Sequence, residues 1–184
     1  MTTNANEIRV GASGRVSVAP AGTTLPVEPD EALDVAFVDL GSNTEDGVTL
    51  SPSRSFERIR EWQSRKPVRT LISEDDLTAS FALQQWNETT VPLAFGGGTI
   101  SATPGGETKF VPPSAGTIDE RVMVIDWTDG DISYRLILPR CQVTEVSDIV
   151  LKRTDSAALA LTVEVLGSDP DDFILLTDDP SWDA

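Results

Sequence analysis

The sequence predicts a mainly β protein of two packed antiparallel sheets, a β-sandwich or partly closed barrel, with one short flanking α-helix. Three observations carry this. Several stretches alternate apolar and polar residues with the period of two that a half-buried strand requires. Turn-forming clusters of Gly, Pro, Asn and Asp separate them. A single short segment carries helix start and stop signals. The 184 residues suit one domain with extensions: a flexible N-terminal arm over residues 1–13, the domain itself over 14–166 and an acidic C-terminal segment over 167–184.

Taken in order, residues 1–13 are small and polar, as an arm should be. "GRVSVAP", from Gly14, puts Val16 and Val18 on one face of a strand. "AGTTLPVEPDE" is a loop, because Pro26 and Pro29 do not fit a central strand. "VAFVDLG" (Val35 to Gly41) is a short β run, and Asp46-Gly47 is a strong turn dipeptide. "FVDLGSNTEDGVTLSPSRS" therefore reads as a hairpin, or two tight turns, with Asp39, Glu45 and Asp46 near its tip.

"RSFERIREWQ" (Arg54 to Gln63) fits two patterns. Phe56, Ile59 and Trp62 match a helical face, whereas strand alternation groups Phe56, Arg58, Arg60 and Trp62. Strand is the reading adopted, since Pro52 and Pro67 bracket the segment and strands flank it. "PVRTLIS" is a further strand. In "DDLTASFALQQW", Leu77, Ala79, Phe81 and Leu83 alternate with Thr78, Ser80, Ala82 and Gln84, which predicts a half-buried strand.

"NETTVPLAFGGG" is the helix. Asn87 or Thr90 caps it, Pro92 falls in its first turn if it begins near Thr90, and Gly96 to Gly98 end it. Residues 96–117 form a loop with strand fragments at "TISAT" and "KFVPP". "RVMVIDW", "TDGD" and "ISYRLILP" make a second hairpin with β-branched and aromatic arms. Leu159, Leu161, Val163 and Val165 alternate with Thr162 and Glu164, and "FILLTDD" adds a short last strand.

Composition narrows the chemistry. There is no histidine, so Ser-His-Asp, Cys-His and HExxH sites are excluded, and the commonest metal ligand is missing. The one cysteine, Cys141, follows a strand run and reads as a packing residue. Asp126, Asp129 and Asp131 sit at a hairpin turn, where Asp is favoured for backbone geometry alone. "FGGGT" lacks a phosphate-loop pattern, and neither "DPDD" nor "DGD" has EF-hand spacing. Trp62, Trp86, Trp127 and Trp182 are too scattered for a stacking platform. No enzyme activity, cofactor or metal is expected. No apolar run is long enough for a membrane helix, and the first residues lack the order of a secretory signal, so a cytoplasmic product without a membrane partner is expected.

Charge is unevenly distributed. The net charge is -16. Residues 1–50 hold 8 acids and 2 bases, and residues 73–184 hold 20 acids and 6 bases. Residues 51–72 reverse the sign, with 2 acids and 6 bases: Arg54, Arg58, Arg60, Arg65, Lys66 and Arg69. A solvated strand face is the ordinary reading of such a block. On so acidic a molecule, an isolated basic block also favours head-to-tail association of identical copies, which gives rings or filaments. The candidate interface residues are Arg54, Arg58, Arg60, Asp39, Glu45, Asp46 and Trp62. The overall acidity argues against a protein that grips nucleic acid, though not against one that lets DNA pass.

The segments "GRVSVAPAGTTLP", "VAFVDLGSNTEDGVTLSPSRSFERIREWQ" and "VRTLISEDDLTASFALQQWNETTVPLAFGGG" occur in an order that resembles the major tail tube proteins of long, non-contractile-tailed bacteriophages, in the form found in phages of actinobacteria. The resemblance covers roughly residues 8–100 and, by strand pattern, residues 118–166; Pro92 and the loop at 101–117 depart from it. It implies two packed sheets with one helix, and hexameric rings whose protomers lend strands to a continuous inner barrel. It also implies stacking of rings into a tube for DNA ejection, joined by a long loop after an early hairpin and by terminal arms. The implied partners are further copies of the chain, tape-measure and tail terminator or tip proteins, and DNA in transient, non-specific passage. The implied location is the virion tail after synthesis in the host cytoplasm. The Thr/Ser/Gln face of residues 78–84 and the Arg/Glu mixture of 54–61 are both candidates for the bore. Two alternatives stay open: a tube protein of a contractile injection or gene-transfer particle, and a monomeric β-sandwich binding module.

Overall fold

Strand periodicity becomes a mainly β fold in the computed structural model, which describes residues 7–63, 65–154, 156–167 and 172–182. The elements are β1 (Ser13–Pro20), β2 (Val38–Asp39), β3 (Asn43–Arg60), β4 (Pro67–Leu83), α1 (Thr90–Ala94), β5 (Thr99–Ala102), β6 (Thr108–Val111), β7 (Glu120–Asp129), β8 (Ile132–Val146), β9 (Leu159–Val165) and β10 (Ile174–Thr177). Eight strands form one antiparallel sheet in the order β2-β1-β7-β8-β9-β4-β3, with β10 also paired to β8. β5 and β6 form a separate two-stranded sheet. The arrangement is sandwich-like and does not close into a barrel, because β2 and β3 do not pair with each other.

β8 is the strand on which the large sheet turns. Its first residues lie between β7 and β10, and its last residues pair with β9. At the change-over, Val122 of β7 faces both Pro139 and Arg140, a bulge that bends the strand. Proline fits there because a bulged position need not donate to the ladder. The two halves of the sheet share one core: Val16, Val18, Met123 and Ile125 from one side, with Ala79, Phe81, Leu83, Leu159, Leu161 and Val163 from the other. Leu93 and Ala94 of α1 join it. Asn87 Oδ1 accepts the backbone N–H groups of Thr89 and Thr90, both at 2.9 Å, which starts α1. Gly96 then takes a φ of 70°, and the Gly97 N–H donates to Pro92 O at 2.7 Å.

The β1-β7-β8 half is buried on both faces, which explains its nearly continuous apolar sequence. Ser17, Val122, Val124, Arg135 and Ile137 are all buried on the face away from the shared core. The loop between β1 and β2 reaches this face, because Arg135 Nη1 donates to Glu28 O at 3.0 Å and Glu31 O at 2.7 Å. Arg135 Nε also donates to Asp126 Oδ1 at 2.7 Å, and Arg15 pairs with the other oxygen of Asp126 at 2.9 Å.

Four local expectations are corrected. The run expected at Val35 to Gly41 shortens to Val38–Asp39, with Val35 exposed. Asp46-Gly47 does not close a hairpin: Asn43 pairs with Leu83 and Val48 with Phe81, so residues 44–47 bulge out of β3 and the chain keeps its direction. Gly47, at φ 67°, uses its left-handed backbone for that bulge. Nor does Pro52 end a strand. It pairs with Leu77 inside an 18-residue β3, tolerated because β3 is the sheet edge and one side of its backbone has no partner to supply. The strands expected on either side of Ser73 likewise fuse into β4, with a bulge at Ser73.

Arg135 joins the loop to the sheet, so its removal leaves Asp126 and two carbonyls short of a donor. Arg135→Ala is expected to destabilise the fold by about 3–5 kcal/mol, read as a lowered urea midpoint; a change below about 0.5 kcal/mol, the range of an ordinary surface substitution, would contradict this account.

Candidate functional site

A surface that serves assembly should show apolar groups that the protomer itself leaves uncovered. β3 and β4 show this. Near the core, β4 is flanked by β3 and β9, whose pairing spans Thr78 to Leu83. Beyond that point only the β3–β4 ladder continues, from Pro52–Leu77 out to Arg60–Pro67. All ten residues from Pro67 to Asp76 are exposed. An isolated hairpin in water is at best marginally stable.

Register assigns the two faces. Val48, Leu50, Pro52, Arg54, Phe56, Arg58 and Arg60 of β3 continue the face that carries Ala79 and Phe81 in the core. Phe56 and Ile72 pair on this face and are 54% and 57% exposed, so the core face runs on after the core has ended. The opposite face carries Ile59 and Leu71, also exposed. Trp62, just past β3, is 100% exposed.

The candidate interface residues fall into two groups at opposite ends of β3. Arg54, Arg58, Arg60 and Trp62 belong to the projecting end. Arg54 is paired within the hairpin: its Nη2 lies 2.6 Å from Asp75 Oδ2, and that contact raises its pKa further. Arg58 and Arg60 form no ion pair with the described residues. Asp39, Glu45 and Asp46 meet at the other end, where they line an open cleft of about 780 Å³ together with Val48, Ile125 and Trp127. Asp39 accepts the backbone N–H of Gly41 at 2.7 Å.

A third surface is mostly polar over its middle. On the outward face of the β3-β4-β9 layer, Ser51 lies beside Thr78 and then Glu164, and Thr49 lies beside Ser80 and then Thr162. Ser80 and Thr162 are hydrogen-bonded through their hydroxyls at 3.2 Å. Glu74 and Asp76 extend the face along the hairpin, and Gln142 and Glu120 extend it across β8 and β7. Arg140 grips Glu120 through two hydrogen bonds and holds its pKa below the usual carboxylate range.

The other acids and the thiol have structural partners. Asp126 is held between Arg15 and Arg135, and Asp129 accepts the Val10 N–H at 3.3 Å. Cys141 is buried against Arg121 O, and burial pushes its thiol up to about 12. No cluster of three metal-ligating side chains occurs among the described residues, and none of their helices is long and apolar enough to cross a membrane.

Sequence reading missed one cluster. Asp179, only 3% exposed, accepts the Tyr134 hydroxyl at 2.5 Å and Arg9 Nε at 2.8 Å. The N–H of Ser181 donates to its other oxygen at 2.9 Å. This fastens Arg9, within the segment expected as an arm, to the acidic C-terminal segment. Nothing in the sequence separates Asp179 from its acidic neighbours; only the pairing of β10 with β8 brings it to Tyr134.

A family model described as phage tail tube protein matches residues 1–182. No curated protein matches the sequence.

The Tyr134 hydroxyl, with Ser181 N–H and Arg9, holds the Asp179 carboxyl well below the usual carboxylate range against the opposing effect of burial. A depressed folded pKa stabilises above the unfolded value, about 3.9, and that stability is lost as pH falls through the folded value. Asp179→Asn should therefore lower the unfolding midpoint at pH 7, and the gap to wild type should narrow steadily below about pH 4. Thermal unfolding across a pH series measures this; a gap that stays constant into strong acid would remove the explanation.

Proposed function

This chain belongs to the phage tail tube protein family, and from that premise we propose that its copies close into hexameric rings which stack into the tail tube and conduct DNA during ejection. The observation that carries the reading is the β3–β4 hairpin, which projects beyond the core with apolar residues exposed on both faces. Such a hairpin is stabilised when a neighbouring copy covers it. β2 and β3 are sheet edges, so strands of adjacent protomers can continue the sheet around a ring.

The bore is lined by the outward face of the β3-β4-β9 layer. Its hydroxyls of Thr49, Ser51, Thr78, Ser80 and Thr162 suit a water-filled channel, and Glu74, Asp76 and Glu164 give it a negative sign. Phosphates are repelled by such a wall, so DNA slides through without adsorbing. The partners are other copies of the chain, with tape-measure and terminator or tip proteins at the ends, and the site of action is the virion tail. The protein has no catalytic role in this reading.

Concentrated wild-type protein should form hollow tubes visible by negative-stain microscopy. Phe56→Asp with Ile72→Asp should abolish them while leaving the circular dichroism spectrum and unfolding midpoint of the protomer nearly unchanged; tubes of normal length from this double variant would remove the hairpin from the assembly. A second measurement addresses the bore. Wild-type tubes should not retain double-stranded DNA at low salt, whereas Thr78→Lys with Ser80→Lys should retain it in a salt-sensitive way. Equal behaviour of the two would place that face elsewhere.

A further inference from the structure

The candidate interface residues divide into a basic, aromatic end and an acidic cleft, and the two are complementary in charge. The cleft is lined by the apolar Val48, Ile125 and Trp127 and by the acids Asp39, Glu45 and Asp46, and the one cation bordering it, Arg15, is already paired with Asp126. Its volume of about 780 Å³ is that of a site for a bulky group. Two atoms of its wall, Asn43 Oδ1 and Thr44 Oγ1, are buried without a hydrogen-bond partner among the described residues. Buried acceptors of this kind are normally satisfied. Glu45 and Asp46 are exposed and pair with no cation among the described residues.

At the other end of β3, Arg58 and Arg60 lie on one face and Trp62 is fully exposed beyond them. Trp and Arg are the residues most often found as anchors of protein interfaces. The protomer cannot satisfy its own cleft. Val48 and Arg60 are ends of one continuous strand segment, which at about 3.3 Å per residue puts the hairpin end about 40 Å from the cleft. Contact must therefore be made with another copy, and because the two surfaces differ it is head-to-tail, the kind that propagates.

We propose that the end of the β3–β4 hairpin of one protomer inserts Trp62 into this cleft of a second copy, with Arg58 and Arg60 meeting its acids. The inference rests on the assembly reading above and specifies which surfaces join. Trp62 lies against Val48 and Trp127 of the receiving copy, and the arginines orient the approach.

Cross-linking tests it on the full chain. Ser42→Cys, an exposed cleft residue, is combined with Gln63→Cys beside Trp62; Cys141 is buried and does not compete. Oxidation of assembled tubes should give a ladder of covalent oligomers under denaturing, non-reducing conditions, with no ladder from either single variant. Arg58→Glu with Arg60→Glu should lose tube formation, and addition of Glu45→Arg with Asp46→Arg should restore it. Tubes that form without the ladder, or a reversal of the arginines that leaves assembly unchanged, overturn the docking alone. A wild type that stays monomeric at all concentrations overturns the assembly reading, and the docking with it.

Discussion

Strands that outrun their own core set the terms for this molecule. A ladder of backbone hydrogen bonds holds two strands together, but burial of side chains is what makes a β structure stable in water. Over Thr78 to Leu83, β4 has a partner on each side and a core beneath. Farther out the ladder continues while the burial stops, yet the apolar positions Phe56 and Ile72 persist on the same face. The outer hairpin is thus the part of the fold whose stability depends most on what lies outside the protomer. In the proposed tube, that cover is another copy of the same chain.

Electrostatics and burial play different parts in such an association. Two protomers of net charge -16 repel at long range. The local sign reversal between Arg54 and Arg69 offsets that repulsion in one orientation only. Charged rims chiefly set orientation and encounter rate, whereas buried aromatic anchors supply most of the affinity. Arg54 shows the limit of reading charge as interface: it is already engaged by Asp75 across its own hairpin, where it steadies the projection. Arg58 and Arg60 form no such pair with the described residues of their own protomer.

The β1-β7-β8 half follows a different logic. It is covered on both faces, and the cover is partly irregular chain. A buried guanidinium holds the loop between β1 and β2 through carbonyls, its charge balanced by Asp126. The Arg9–Tyr134–Asp179 cluster repeats the device at the edge formed by β10. Each places a charged group out of water beside an opposite charge and further hydrogen-bond partners.

The strands of this protein were legible in its sequence wherever one face met the core and the other met water. Leu77 to Leu83 and Leu159 to Val165 alternate because the tertiary environment does, and Asn87 with Gly96 to Gly98 marks α1 through purely local hydrogen bonding. The mainly β class and the short helix followed from those local signals, while the resemblance to tail tube proteins rested on the order of whole segments between Gly14 and Gly98. What the sequence did not reveal was which strands are one strand. Asp46-Gly47, Pro52 and Ser73 look like breaks, and the structure absorbs all three as bulges or edge positions, since whether a proline or a left-handed glycine interrupts a ladder depends on what lies on its other side. The gathering of Asp39, Glu45 and Asp46 around Val48, and the burial of Asp179 under Tyr134, likewise arise from pairings between residues far apart in the chain. Period and turn chemistry are properties of neighbouring residues, so the sequence by itself determined them; register, edge and cleft are properties of distant segments brought side by side, and only the tertiary structure decided those.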